Sequence, residues 1–331
     1  MAPDSGARDR AESMLHSDAL HSAVSAAMGR LGLLDEWLSA TFANPDGPAV
    51  RFSSCYPFLN EISFAVPPFS LWPPAPSLRI RWKGARFVPL SVVESLVAGQ
   101  PLDEERWKVD GASRCLLPAQ SGDGPFRAAV RSSVAVDRAS SGVVEAHRTG
   151  CLEFSPGGGM WALAAFSGDE TKARWEQPVK AALRLLGDSG IGGKRSSGWG
   201  LSKEVEFLDG VLPDLILATE PAEPAAEDAE PKPAPEFAYW LLSLFSPQET
   251  DGVDWERGNY ALLTRSGRVE SPAGGGALKK LTRMVAEGSV LFAGTPPTGA
   301  APDVAPEGAP HPVYRAGFAV AIPIPWREVA R

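Results

Sequence analysis

Positions 187–200 read Gly-Asp-Ser-Gly-Ile-Gly-Gly-Lys-Arg-Ser-Ser-Gly-Trp-Gly, and no other stretch limits the fold as much. It combines six glycines with the adjacent cations Lys194 and Arg195 and the hydroxyl pair Ser196-Ser197. Upstream, Val179, Ala182, Leu183 and Leu186 recur at i, i+3, i+4 and i+7, the apolar stripe of an amphipathic helix. Downstream, Leu201, Lys203, Val205 and Phe207 share one face of a short alternating run, which predicts a strand. The stretch is therefore a loop joining a helix C-terminus to a strand. Its glycines permit positive φ and the close approach of another backbone. Exposed N–H groups beside Lys194 and Arg195 suit a phosphodiester lying across the loop. The plainer alternative is a glycine-rich helix cap and turn that binds nothing.

Two phosphate-binding motifs are excluded. A Walker A loop ending at Lys194 needs Gly at 188 and Ser or Thr at 195, where the chain has Asp188 and Arg195. A dinucleotide fingerprint starting at Gly190 needs Gly at 195. Both motifs also run from strand to helix, the reverse of this order.

The chain has 331 residues, room for two domains, and 44% hydrophobic residues with 10 Trp, ample for packed cores. It holds no apolar run of about 18 residues, the length needed to cross a membrane. Positions 1–15 lack the apolar core of a secretory signal. Cys55, Cys115 and Cys151 are odd in number and widely spread, which fits a reduced, cytoplasmic protein. The four histidines make no zinc spacing with them, so neither metal nor cofactor is expected. Net charge is −8, at first sight adverse to nucleic acid. Positions 220–236, however, carry six acids against Lys232 alone, a balance of −5, leaving about −3 for everything else. For binding, the local patch matters more than the total.

In chain order, a polar N-terminus precedes a helix with buried face Leu20, Val24, Ala27 and Leu31, capped by Ser17 or Asp18. Adjacent residues at a helix start cannot form a Ser-His-Asp triad, so capping is the better reading of His16-Ser17-Asp18. Positions 44–77 read as an ordered loop with short strands. Arg79, Arg81 and Lys83 alternate with Ile80 and Trp82, a strand with a cationic face or a solvated edge. Ser91 caps a short helix through Leu96, and a loop-rich insertion fills 99–125. From Phe126 to Phe166 the pattern is β, with turns at Gly142, Gly150 and Gly157-Gly158-Gly159 and with Arg127, Arg131, Arg138 and Arg148 spaced along it. Pro178 falls in the first turn of the next helix. Positions 218–236 form an Ala/Pro/Glu linker. Beyond it, strands are expected at Tyr239–Phe245, Asn259–Thr264, Ser289–Phe292 and Tyr314–Ile324, with 277–286 a basic helix or strand edge. The division is 1–217, linker 218–236, and a second α+β unit at 237–331.

Several separated segments carry a resemblance: Leu15-His16-Ser17-Asp18-Ala19-Leu20, Ser53-Ser54 before Pro57-Phe58, and Val130 to Arg138 with its Val-Asp-Arg end. Leu186 to Gly200, Leu241 to Pro247 and His311-Pro312-Val313-Tyr314-Arg315 complete it. In this order they resemble the fourth Csm subunit of type III-A CRISPR effector complexes, a RAMP-superfamily protein of antiviral defence. The resemblance spans positions 15 to 325. It implies an α+β fold of two ferredoxin-like (RRM-like) units and no catalytic activity in this subunit. It also implies a place at the 5′ handle of the guide RNA, contacting the large polymerase-like subunit and the first repeated backbone subunit. Family members open with a β-strand and a glycine-containing segment, whereas only Met1 to Met14 precede the His-Ser-Asp helix here.

On this reading the RNA lies on Gly190, Gly192, Gly193, Lys194, Arg195, Ser196, Ser197 and Gly198. Lys194 and Arg195 take phosphates, while the serines and the Gly192–Gly193 amides make close backbone contacts. Arg131 and Arg138 form a thumb-like edge along the RNA, and Ser53 and Ser54 line the side where it arrives. The rival from another class is a metal-independent guide-processing endoribonuclease of the same superfamily, with His16 as general acid or base. The mid-chain position of the glycine loop argues against it, because in those enzymes the loop lies near the C-terminus.

Overall fold

The computed structural model describes residues 11–74, 76–136, 144–217, 236–269 and 276–326. From the N-terminus come α1 (Ser17–Arg30) and α2 (Leu34–Thr41), then β1 (Val50–Phe52), β2 (Tyr56–Leu59), β3 (Ile62–Ala65) and β4 (Val88–Pro89). After α3 (Leu90–Ala98) follow β5 (Trp107–Val109), β6 (Leu116–Pro118), the long pair β7 (Phe126–Val136) and β8 (Val144–Phe154), β9 (Gly158–Trp161) and β10 (Ala164–Phe166). Helix α4 (Asp169–Ser189) leads into the glycine loop. The C-terminal strands are β11 (Phe237–Leu241), β12 (Val253–Asn259), β13 (Leu262–Arg265), β14 (Thr282–Val285), β15 (Val290–Ala293) and β16 (Ala321–Pro325). The fold is α+β, with its α-helices in the N-terminal part; among the described residues 236–326 contain only strands and one 3-10 turn.

Two four-stranded antiparallel sheets organise the chain, ordered β4-β3-β2-β9 and β12-β15-β11-β16. Strand β1 continues the line of β2 but pairs with β10. The break falls at Ser53-Ser54-Cys55, whose amides bond to three different segments: Ser53 N to Leu163 O, Ser54 N to Leu242 O and Cys55 N to Leu15 O. The N-terminal sheet is thereby tied to the C-terminal one. Between them lies a shared core in which Trp240, buried and donating to Val66 O at 3.1 Å, sits among Phe64, Phe87 and Ile322. A second core fills the space between α1, α2 and α4 and the β1–β10 pair, where Trp37 packs edge-on to Trp175.

A buried ionic clasp joins the two parts. Asp18 at the start of α1 accepts from Arg265 Nε and Nη2 at 3.1 and 3.0 Å and from Arg315 Nη1 at 2.7 Å. Two residues earlier, His16 Nδ1 lies 2.7 Å from Glu287 Oε1, which also accepts from the Ser54 hydroxyl. The sequence places Ser17 or Asp18 as the cap of α1. Instead, His16 occupies that position with no side-chain cap, and Ser17 Oγ accepts from Leu244 N at 3.0 Å. Tertiary partners outcompete the local cap because burial leaves these polar groups no water to bond.

The clasp titrates. Burial opposes the charge on His16, but the Glu287 carboxylate against it outweighs this and raises the imidazole pKa above 6.5. Burial likewise disfavours the Asp18 and Glu287 carboxylates, yet the guanidiniums of Arg265 and Arg315 hold Asp18 below 3.8, and His16 holds Glu287 below 4.5. A raised imidazole stabilises fully below 6.5 and loses its contribution as pH rises through the folded value. The lowered carboxylates contribute fully above 3.8 and 4.5 and lose it as pH falls through their folded values. Burial holds the His21 imidazole down at about 3, so its contribution is lost as pH falls below 6.5. The urea midpoint should therefore peak near pH 6.5, and His16→Gln should flatten the alkaline decline. An alkaline limb unchanged by that substitution would refute the assignment.

Other expectations are corrected by packing. Arg79–Arg86 is not a strand: Trp82–Gly84 is a 3-10 turn, Ile80 and Trp82 are buried, and Arg79 pairs with Glu105. Helix α4 begins at Asp169, so Pro178 lies inside it rather than in its first turn. Of the two readings of 277–286, helix or strand edge, the strand is the one formed, as β14. Most of the predicted linker (218–235) and Arg138 lie outside the described residues.

Candidate nucleic-acid interface

Helix α4 buries Trp175, Val179, Ala182 and Leu186 against α1, and this face sets where the glycine loop starts. Gly187 is buried because the returning chain crosses it: a Cβ there would meet Val205 Cγ2 at 2.7 Å. Ser202 N donates to Gly187 O at 3.0 Å. The predicted strand at Leu201–Phe207 is thus absent. The segment runs along α4 without a ladder partner, and Lys180 and Arg184 lie over the Phe207 ring at 5.6 and 5.0 Å.

The loop is pinched at its base. Gly190, at φ +85°, donates to Leu186 O at 2.8 Å, and Ile191 N donates to Gly200 O at 3.0 Å. Above this neck, Lys194 adopts φ +61° and a 3-10 turn covers Arg195–Ser197. Its carbonyl accepts from Ser197 N at 2.9 Å. Gly192, Gly193, Lys194, Ser196, Ser197 and Gly198 are exposed, Arg195 is half-buried and Gly190 is buried in the neck. Among the described residues the Gly192 and Gly193 amides take no backbone partner. Beside them opens a depression of about 610 Å³ lined by the loop from Gly192 to Ser196, by Ser189 and by Arg30, the last residue of α1. The sequence reading missed Arg30, because only the packing of α1 on α4 brings it to the loop.

The remaining sequence-predicted residues divide. Arg131 projects from the β7–β8 ribbon, 64% exposed, but shares Glu153 with Arg127. Arg127's hydrogen bond, with Arg131's charge, holds that carboxyl below its usual 4.5. A phosphate could replace Glu153 at little cost, since such exposed pairs contribute about 0–1 kcal/mol. Ser53 and Ser54 do not face outward. Both are fully buried, Ser53 Oγ receiving Leu163 N at 2.8 Å and Ser54 Oγ receiving Ser17 N at 2.9 Å. The Ser54 hydroxyl donates to Glu287 of the C-terminal part and the Ser53 hydroxyl to Ser54 O, so both are withdrawn from the RNA-facing set. His16, 5% exposed and held by Glu287, does not line the depression, so the geometry gives a His16-based cleavage no support.

Among the described residues no cluster of three or more His, Cys, Asp or Glu could hold a metal ion, and no helix is long and apolar enough to cross a membrane. Residues 235–324, which include the β11–β16 sheet and the Arg265 and Arg315 arms of the clasp, match the family model described as the CRISPR Csm4 C-terminal domain. The fold of the chain is similar, with a TM-score of 0.60 and 14% identity, to a chain of the Csm3-Csm4 subcomplex in the type III-A CRISPR-Cas interference complex. That match covers 95% of this chain and 94% of the other. A chain of the Csm1-Csm4 cassette in complex with cA4 matches at TM-score 0.56 and 17% identity, over 95% and 93%. The same cassette with pppApA gives 0.55 and 17% over the same shares. No curated protein matches the sequence significantly. At these identities the structural matches establish the fold, and the family match is confined to residues 235–324.

Proposed function

We propose that this chain is a non-catalytic RNA-binding subunit of a type III-A CRISPR (Csm) interference complex. It holds the 5′ handle of the guide RNA at the glycine loop and joins the large polymerase-like subunit to the repeated backbone subunit. The observation that carries this reading is the exposed loop above the Ile191–Gly200 neck, where Lys194 and Arg195 follow two glycine amides that take no backbone partner among the described residues. Such a surface offers cations and N–H donors to phosphates, the sequence-independent part of single-strand binding. The company of Csm1 and Csm3 follows the Csm4 fold, because structures of that fold come from assemblies with each.

The test is binding of a labelled single-stranded RNA of the repeat sequence across a salt series. Replacing both Lys194 and Arg195 with alanine should remove one to two phosphate contacts, lowering the log–log salt slope by roughly 0.7–1.4. An unchanged affinity and slope would dismiss the loop as the RNA contact.

A further inference from the structure

We infer that Arg30 completes a phosphate site with Lys194 and Arg195, and that the depression it closes takes one phosphodiester of the bound RNA strand. This deepens the reading of the glycine loop as an RNA contact and rests on it. The first argument is electrostatic. Two helices end beside the depression, α1 at Arg30 and α4 at Ser189. A helix C-terminus carries roughly −0.5 of a charge, so the pair brings about −1. Exposed Asp188 adds another negative charge next to Ser189. Lys194 and Arg195 together do no more than balance these. Arg30 is the charge that turns the depression positive, and among the described residues it has no ion-pair partner.

The second argument is geometric. Arg30 is held at the rim by a rigid pair of helices: Leu20, Val24, Ala27 and Met28 of α1 share one core with Trp175, Val179, Ala182 and Leu186 of α4. Arg30 therefore reaches the depression from an element independent of the loop that carries Lys194. A planar fork suits bidentate contact with phosphate oxygens. Ser189, the last residue of α4, also lines the depression, which places the helix C-terminus at its wall.

The experiment uses the full chain and a labelled single-stranded RNA of the repeat sequence. Arg30→Ala should weaken binding roughly three- to tenfold at about 0.1 M salt and lower the salt slope by about 0.7, one phosphate on a single strand. Arg30→Lys should keep the slope, and Arg30→Gln should lose it with an unchanged thermal midpoint, separating charge from packing. Arg30→Ala and Lys194→Ala should combine non-additively, as two groups on one phosphate do. A slope that falls for the Lys194→Ala/Arg195→Ala pair but not for Arg30→Ala would overturn this inference and leave the loop reading standing. A slope that falls for neither would remove both. Displacement of the RNA by micromolar inorganic phosphate would assign the depression to a free anion and overturn the phosphodiester assignment.

Discussion

Asp18→Ala is expected to destabilise the protein by about 3–5 kcal/mol, the largest single-residue effect that the clasp predicts. Asp18 is the shared counter-ion of two buried guanidiniums, with Arg265 gripping both carboxylate oxygens and Arg315 one of them. All three side chains are 7% exposed or less. Removing the carboxylate leaves two cations in a site with little solvent, and Arg315 already has an unpartnered Nε. Against a typical total stability of about 5–15 kcal/mol, such a loss lowers both the urea midpoint and the soluble yield. The replacement of Asp18, Arg265 and Arg315 together by apolar residues should recover much of the loss, because the penalty lies in the stranded charges rather than in a net gain from the pair. A urea midpoint within experimental error of the parent for Asp18→Ala would show that the clasp is solvated and the burial argument wrong.

Gly200→Ala should reduce RNA affinity at least roughly tenfold while leaving the thermal midpoint nearly unchanged. Gly200 sits at φ +77°, and a Cβ built on it lies 2.0 Å from Ile191 O and 2.9 Å from Ile191 N. Any side chain therefore forces the neck apart, in addition to about 1–2 kcal/mol of left-handed backbone strain. Opening the neck releases the turn that presents Lys194 and Arg195. A single phosphate contact misplaced by an ångström or more forfeits most of its electrostatic gain. Gly193→Ala is the internal control, since nothing lies within 4 Å of its Cβ position. Fluorescence anisotropy with labelled RNA reads both variants. Equal affinities for Gly200→Ala, Gly193→Ala and the parent would mean that the loop's shape is irrelevant to binding.

How much was legible in the sequence depended on the range of the forces involved. The α4 stripe was visible because helix burial follows a local period, and Val179, Ala182 and Leu186 are buried as that period requires. The glycine loop was visible because backbone freedom is encoded residue by residue. The strands at Phe237–Leu241 and Val290–Ala293 were placed to within a few residues, since strand propensity and turn residues marked them, whereas the strand expected from Tyr314 begins only at Ala321. The alternating Arg79–Lys83 run and the Leu201–Phe207 run misled. An alternating segment becomes a strand only when a neighbour offers a hydrogen-bonding edge, and neither segment has one.

By itself, then, the sequence determined the amphipathic helix, the bend that follows it and the paired cations on that bend. Tertiary structure alone decided which polar residues are buried and which are offered to a ligand. Ser54, His16 and Asp18 look like surface chemistry in the sequence, yet they hold the two parts together from inside. Arg30 looks like an ordinary helix end, yet it lines the same depression as Lys194. The physical reason is that a hydroxyl, carboxylate or guanidinium has the same intrinsic chemistry anywhere in a chain. Its role is set by burial and by partners distant in sequence, and both exist only once the helices and sheets have packed.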